Sequence, residues 1–316
     1  MNFVEKYYKW IKIIIMVFAY GYLGYILINF KDYAGFNRSF RDLSWERFGL
    51  IVSIFLLLPV NWGMEAVKWK TLVSPLQKSS FFQSYKSVLS GLTTGFFTPN
   101  RIGDPLGRVL FLEPENRPRG IVLSLVGVLG QSFATLFCGM LAGLAFIFSS
   151  SKVQYENSMS FEVAAFLLVL FLASLYFSLP YLCRKLGEST RFVKLNNFLE
   201  AISAISLRKL FLISGLSFIR YSVYVFQYFF MLRLFGVDIQ LTTALIAIPL
   251  NYLFVSVTPS VAFSEMGIRG SYAVLFIGAF SKNTAGVAFA GIAVWLVNYV
   301  IPMMIGSLFL TTKKKL

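Results

Sequence analysis

Histidine is absent from this chain of 316 residues. That excludes imidazole acid–base catalysis, Ser-His triads and most zinc or haem centres. Cysteine occurs only as Cys138 and Cys183, in separate apolar stretches without ligand-like spacing, and both read as small buried hydrophobes. Charge is sparse at 14%, and no Walker-type phosphate loop occurs, so no ATP engine is visible. No metal and no cofactor is expected. What the chain has in excess is apolar surface: 57% of residues are hydrophobic and the mean hydropathy is +0.70, beyond a soluble domain. Lys and Arg number 29 against 14 Asp and Glu, a net +15. In a polytopic membrane protein, positive-inside loops and anionic headgroups account for that excess. No basic recognition module occurs, so no nucleic-acid partner is expected.

Six runs approach the ~20 apolar residues a full span needs: about 10–30, 48–68, 119–148, 161–183, 209–235 and 284–311. The first follows Lys6, Lys9 and Lys12, is long for a signal-peptide core and lacks a small-x-small cleavage site, so it reads as a retained span. Three shorter pieces remain, about 84–98, 241–257 and 267–280, each too short to cross at 1.5 Å per residue. They suit re-entrant or broken helices, which are tolerated at depth only where protein or a wet cavity satisfies the backbone.

Basic residues orient the chain. Arg184, Lys185, Arg191, Lys194, Arg208 and Lys209 crowd the 184–209 loop, and Lys313, Lys314 and Lys315 close the sequence. Both termini and that loop are expected in the cytoplasm of an inner membrane. The 31–47 loop, placed outside, fits this rule poorly, because it carries Lys31, Arg38, Arg41 and Arg47. Each half then contains two spans, a re-entrant element and one more span. Three crossings per half is odd, so the halves are expected to be inverted. The fold class is an all-α polytopic membrane protein, about six full transmembrane helices plus re-entrant helices in two inverted pseudo-repeats. Residues 1–316 form one integral membrane domain, with halves of about 1–155 and 156–316.

Two stretches echo one another. Thr98-Pro-Asn-Arg-Ile-Gly-Asp-Pro-Leu-Gly-Arg108 and Thr258-Pro-Ser-Val-Ala-Phe-Ser-Glu-Met-Gly-Ile-Arg269 each hold a Thr-Pro break, a small polar residue, and an acid with an arginine four positions on. The small polar residues are Asn100 and Ser260; the pairs are Asp104 with Arg108, and Glu265 with Arg269. At i, i+4 each pair shares a helix face. Gly103, Gly107, Gly267 and Gly270 would permit close approach or bending. Charge beside broken spans in corresponding halves points to a polar path near the midplane. The arginines would fork onto a phosphate, while the acids would position them, compete with the ligand or carry a proton. The plain alternative is two structural ion pairs. Arg101 follows the first break, where a starting helix would aim N–H groups at an anion; it could equally snorkel to headgroups. Arg220 lies mid-span in 209–235, close to Tyr221, Tyr224 and Gln227, and needs a partner or a wet cavity. A salt bridge to Glu265 or Asp104 is its structural alternative. Asn61 and Glu65 share a face, with Glu65 expected in an interfacial pair with Lys68. Gln131, Asn251 and Asn298 read as interhelical hydrogen bonders.

The run Ser87 to Arg108 resembles the signature region of the lysylphosphatidylglycerol synthase transmembrane (flippase-like) family, whose pattern there is roughly Pro-x-Arg-x-Gly-Glu-x-x-Arg. Thr258 to Gly267 is similar to its second Pro- and Gly-containing element, and Lys68-Trp69-Lys70 looks like its basic ending of the second span. The motifs cover about a tenth of the chain, the hydropathy likeness nearly all of it. The resemblance implies a domain that moves aminoacylated or other phospholipids, or polyprenyl-linked lipids, between leaflets. By carry-over Arg101, Arg108, Glu265 and Arg269 would line the path. Asp104 stands where the family has Glu, and Gly130-Gln131 stands near an expected acid–Arg pair. A chain ending just after its last span would lack the soluble transfer domain of bifunctional members and is expected not to make the lipid.

The leading expectation is therefore a lipid flippase or translocase without catalytic residues. Its substrate site would be Asn100, Arg101, Asp104, Arg108, Arg220, Ser260, Glu265 and Arg269. Partners would be an anionic or aminoacylated phospholipid or a polyprenyl-linked lipid; a homodimer and a lipid-modifying enzyme partner stay open. The alternatives are a membrane-embedded transferase with Asp104 or Glu265 as base, and a non-catalytic partner of a lipid-modifying enzyme.

Overall fold

The computed structural model describes residues 44–149, 158–188, 196–260 and 262–311, with Gly21, Gly24, Tyr25 and Ile28 of the first apolar run. The expected 10–30 span, most of the 31–47 loop, Arg191, Lys194 and the three terminal lysines thus fall outside the described residues. Helices α1 (Trp45–Val73), α2 (Phe81–Phe96), α3 (Asp104–Val109), α4 (Arg117–Ser149), α5 (Ser158–Gly187) and α6 (Asn196–Ser203) are followed by α7 (Leu207–Leu234), α8 (Leu241–Val257), α9 (Ala262–Phe276), α10 (Thr284–Trp295) and α11 (Ile301–Thr311). Among the described residues no strand occurs, and five helical stretches are long and apolar enough to cross a membrane. The protein is an all-α polytopic membrane protein.

Local chemistry sets the boundaries. Ser80 Oγ accepts the Gln83 N–H at 3.1 Å, and Asn283 Oδ1 accepts the Gly286 N–H at 2.9 Å, opening α2 and α10 with side-chain caps. Helix α2 has 16 residues, about 24 Å of rise, short of the ~30 Å hydrocarbon core. Helix α8 has 17. Both stop at the Thr-Pro breaks, where proline pushes the residue before it out of the helical region; Thr258 is extended, with φ −84° and ψ 121°. The last long stretch is not one α-helix: Leu296–Val300 widens into a π turn between α10 and α11. Pro302 cannot donate to the Asn298 carbonyl, which removes one α-type bond there. The expected 184–209 loop is also more ordered than a loop, since α5 runs to Gly187 and α6 lies inside it, packed on α4 and α5.

Helix contacts recur in matched pairs. Helix α1 lies along α7; α2 packs on α11 as α8 packs on α4; α3 touches α4 as α9 touches α10; and α1 meets α2 as α7 meets α8. Glycine also permits the close contact of α2 with α3. A Cβ on Gly91 would sit 2.6 Å from Arg108 Cγ, and one on Gly107 would collide with Ser90 O and Thr94 Oγ1, so α2 and α3 close only as a glycine-faced hairpin. Ser87 Oγ donates to Arg108 O at 2.7 Å, tying the hairpin shut.

Candidate functional site

The two Thr-Pro breaks meet. Asn100 N–H donates to Ser260 O at 3.1 Å, and Ser260 N–H donates to Asn100 Oδ1 at 2.9 Å. Asn100 and Arg101 both adopt left-handed backbone, φ 48° and φ 59°. Asn tolerates that region; for Arg it is strained by about 1–3 kcal/mol. The turn carries the Arg101 side chain across to the other half. Arg101 Nη2 donates to Glu265 Oε2 at 2.7 Å and Nε to Oε1 at 3.3 Å, a forked pair between residues 164 apart in sequence. Its guanidinium lies 3.6 Å over the Tyr299 ring. Trp295 Nε1–H donates to Glu265 Oε2 at 2.8 Å, and Arg269 Nη2 stands 3.5 Å from the same oxygen. The expected Glu265–Arg269 pair exists, but Glu265 makes its short bonds to Arg101 and Trp295.

The first motif ends differently. Arg108 Nε donates to Asp104 Oδ1, as the spacing suggests, while Arg108 Nη1 donates to Glu65 Oε1 on α1 at 2.8 Å. Glu65 also takes Lys68 Nζ at 3.0 Å and Arg220 Nη1 at 3.0 Å. One carboxylate thus holds three cations. The expected Glu65–Lys68 pair forms, and it is buried within the protein, with Lys68 0% and Glu65 4% exposed. Arg220 finds neither Glu265 nor Asp104: besides Glu65 it donates from Nε to Asn61 Oδ1 at 2.7 Å and from Nη1 to Gln131 Oε1 at 3.2 Å. Asn61 Nδ2 in turn donates to Asn298 Oδ1 at 3.0 Å, so the polar residues of α1, α4, α7 and the π turn form one network.

A cavity of about 450 Å³ lies beside the meeting point. Asn100, Arg101, Arg220, Ser260, Glu265 and Arg269 line it; Asp104 and Arg108 do not, because Glu65 and the α2–α3 hairpin hold them elsewhere. Six of the eight expected site residues therefore share one space. Tyr221, Tyr224, Tyr252, Tyr299, Ser132 and Thr135 complete its polar wall. Among the described residues, the buried Arg269 Nε–H and the Tyr221 and Tyr252 hydroxyls beside it have no hydrogen-bond partner. The ion pairs form two clusters: Lys68, Arg108 and Arg220 with Glu65 and Asp104, and Arg101 and Arg269 with Glu265, each with one positive charge in excess. Such an excess, away from bulk water, favours an anionic ligand that accepts hydrogen bonds.

Tyr299 and Trp295 were not singled out by sequence. Their one signal is Asn298-Tyr299 placed ahead of Pro302 in an apolar run. Glu65 was expected only as the partner of Lys68, because Arg108 and Arg220 reach it through tertiary contact alone.

The family model described as the lysylphosphatidylglycerol synthase TM region matches residues 10–306, and the chain belongs to this family. No curated protein and no solved structure matches it.

Proposed function

We propose that the protein translocates phospholipids between leaflets, passing an anionic phosphate headgroup through the cavity at the two breaks while the hydrocarbon chains stay in lipid. The observation that carries this is the cavity of about 450 Å³ lined by Arg101, Arg220 and Arg269, where the Arg269 Nε–H and the Tyr221 and Tyr252 hydroxyls have no partner among the described residues. A guanidinium forks onto phosphate and lowers the cost of bringing that charge into a low-dielectric interior. Glu265, the carboxylate lining the cavity, is already engaged by Arg101 and Trp295, which leaves no strong partner for an added lysyl ammonium. An anionic phospholipid suits the site better than an aminoacylated one. Family membership supports a membrane lipid-related role. In this reading the halves are inverted in the inner membrane, with both termini cytoplasmic, and the breaks are re-entrant elements that part to pass the headgroup.

The test is leaflet exchange of fluorescent phosphatidylglycerol, lysylphosphatidylglycerol and phosphatidylcholine in proteoliposomes. Wild-type protein is expected to accelerate phosphatidylglycerol most. Arg269→Ala removes charge-assisted hydrogen bonds of about 1.5–3 kcal/mol, a loss of about ten- to a hundredfold in exchange. Arg269→Lys keeps the charge but not the fork and should recover only part of the rate. Wild-type exchange in folded Arg269→Ala would overturn the site; no exchange of any lipid by wild type would overturn the function.

A further inference from the structure

A second cavity, of about 330 Å³, opens between α4, α7 and α8. Its wall is apolar: Cys138, Ala142, Val225, Leu245 and Pro249 line it. At its outer edge Leu141, Phe226 and Leu245 are 48%, 41% and 44% exposed, so in a bilayer this rim meets acyl chains. Its inner end is Tyr221, which also lines the polar cavity. Tyr221 is only 5% exposed, and its hydroxyl has no hydrogen-bond partner among the described residues. An apolar groove that begins at lipid and ends on a wall shared with an arginine-lined chamber has the polarity profile of one amphiphile.

We infer that this groove seats one hydrocarbon chain of the lipid whose phosphate occupies the polar cavity, and that it is the lateral port by which that lipid leaves the bilayer. The inference rests on the translocase reading above. Seating the chain keeps its methylenes in an apolar wall while the headgroup passes from water into the arginine chamber. The Tyr221 side chain stands between the two cavities, where headgroup would join chain. Ala142 and Ala145 leave the room that bulkier residues on α4 would take.

The groove carries its own chemical handle, because Cys138 lines it and is a free thiol, while Cys183 on α5 is not part of it. In a Cys183→Ser background, attaching a hexadecyl thiosulfonate to Cys138 should slow phosphatidylglycerol exchange by about tenfold or more. A methyl thiosulfonate should leave it near wild type. Glycerophosphoglycerol, which has no chains, should still bind the hexadecyl-blocked protein. Phosphatidylglycerol with a photoreactive acyl chain should label peptides around Cys138, Val225 and Leu245, and Ala142→Phe should abolish that labelling in the folded protein. If the hexadecyl adduct exchanges lipid normally and the photolabel falls on other faces, the groove assignment is wrong while the translocase stands. If wild type exchanges no lipid, the translocase reading fails, and labelling at the groove still decides whether a chain sits there.

Discussion

Glu65 is where charge balance is most exposed to a single change. It is buried on α1 and bonded by Lys68, Arg108 and Arg220, which come from three different elements. Replacing it with Gln keeps the shape and leaves three buried cations short of a counter-charge. Breaking a buried pair from one side costs about 3–5 kcal/mol. Glu65→Gln should lower the thermal midpoint in detergent by many degrees; a loss under about 1 kcal/mol would show that water reaches the cluster and screens it. Restoring balance with Lys68→Met in the same chain should recover part of the stability. Arg269 behaves differently at this scale. Its one ion pair is the 3.5 Å contact with Glu265, whose shorter bonds go to Arg101 and Trp295, so Arg269→Ala is expected to cost less stability than Glu65→Gln and to act mainly on exchange. The two arginines of the echoing motifs thus differ in setting: Glu65 and Asp104 hold Arg108 away from the cavity, while Arg269 lines it.

At the scale of elements, the question is whether the breaks stay together. One backbone bond, Asn100 N–H to Ser260 O, and one bond from Ser260 N–H to the Asn100 side chain hold the two breaks side by side, which makes a disulfide between these positions a direct probe of the junction. Asn100→Cys with Ser260→Cys, in a chain freed of Cys138 and Cys183, should oxidise readily. If headgroup passage requires the breaks to part, the oxidised protein stops exchanging lipid and reduction restores it. Exchange at the reduced rate after full oxidation would mean that the path runs beside a static junction. The π turn makes a second demand on geometry. It places Tyr299 under Arg101 and Asn298 against Asn61, two jobs that an uninterrupted α-helix would rotate apart.

For the whole molecule, the symmetric contact scheme and the distribution of basic residues make a topological claim. A single crossing, α7, separates Glu188 and α6 from Asp238. Both carboxylates are largely exposed, 72% and 96% at the side chain. Glu188→Cys should react with a membrane-impermeant maleimide only from the cytoplasmic side, and Asp238→Cys only from the outer side. Labelling of both from one side would remove the inverted arrangement and with it the reason for two breaks approaching from opposite faces.

The long spans were legible in the sequence because a helix needs nothing but length and apolarity to cross a membrane, and α1, α4, α5, α7 and the α10–α11 stretch each declare both. The breaks were legible too, since proline acts on the residue beside it whatever the fold, and the acid–arginine spacing placed each pair on one helix face. Only the tertiary structure decided the partners. Arg101 takes Glu265, Arg108 and Arg220 share Glu65, and Tyr299 joins the cavity, through contacts between residues far apart in sequence. A buried charge must find a counter-charge, but which one it finds depends on the packing of α1 against α7 and of one break against the other. Local sequence rules do not reach that far.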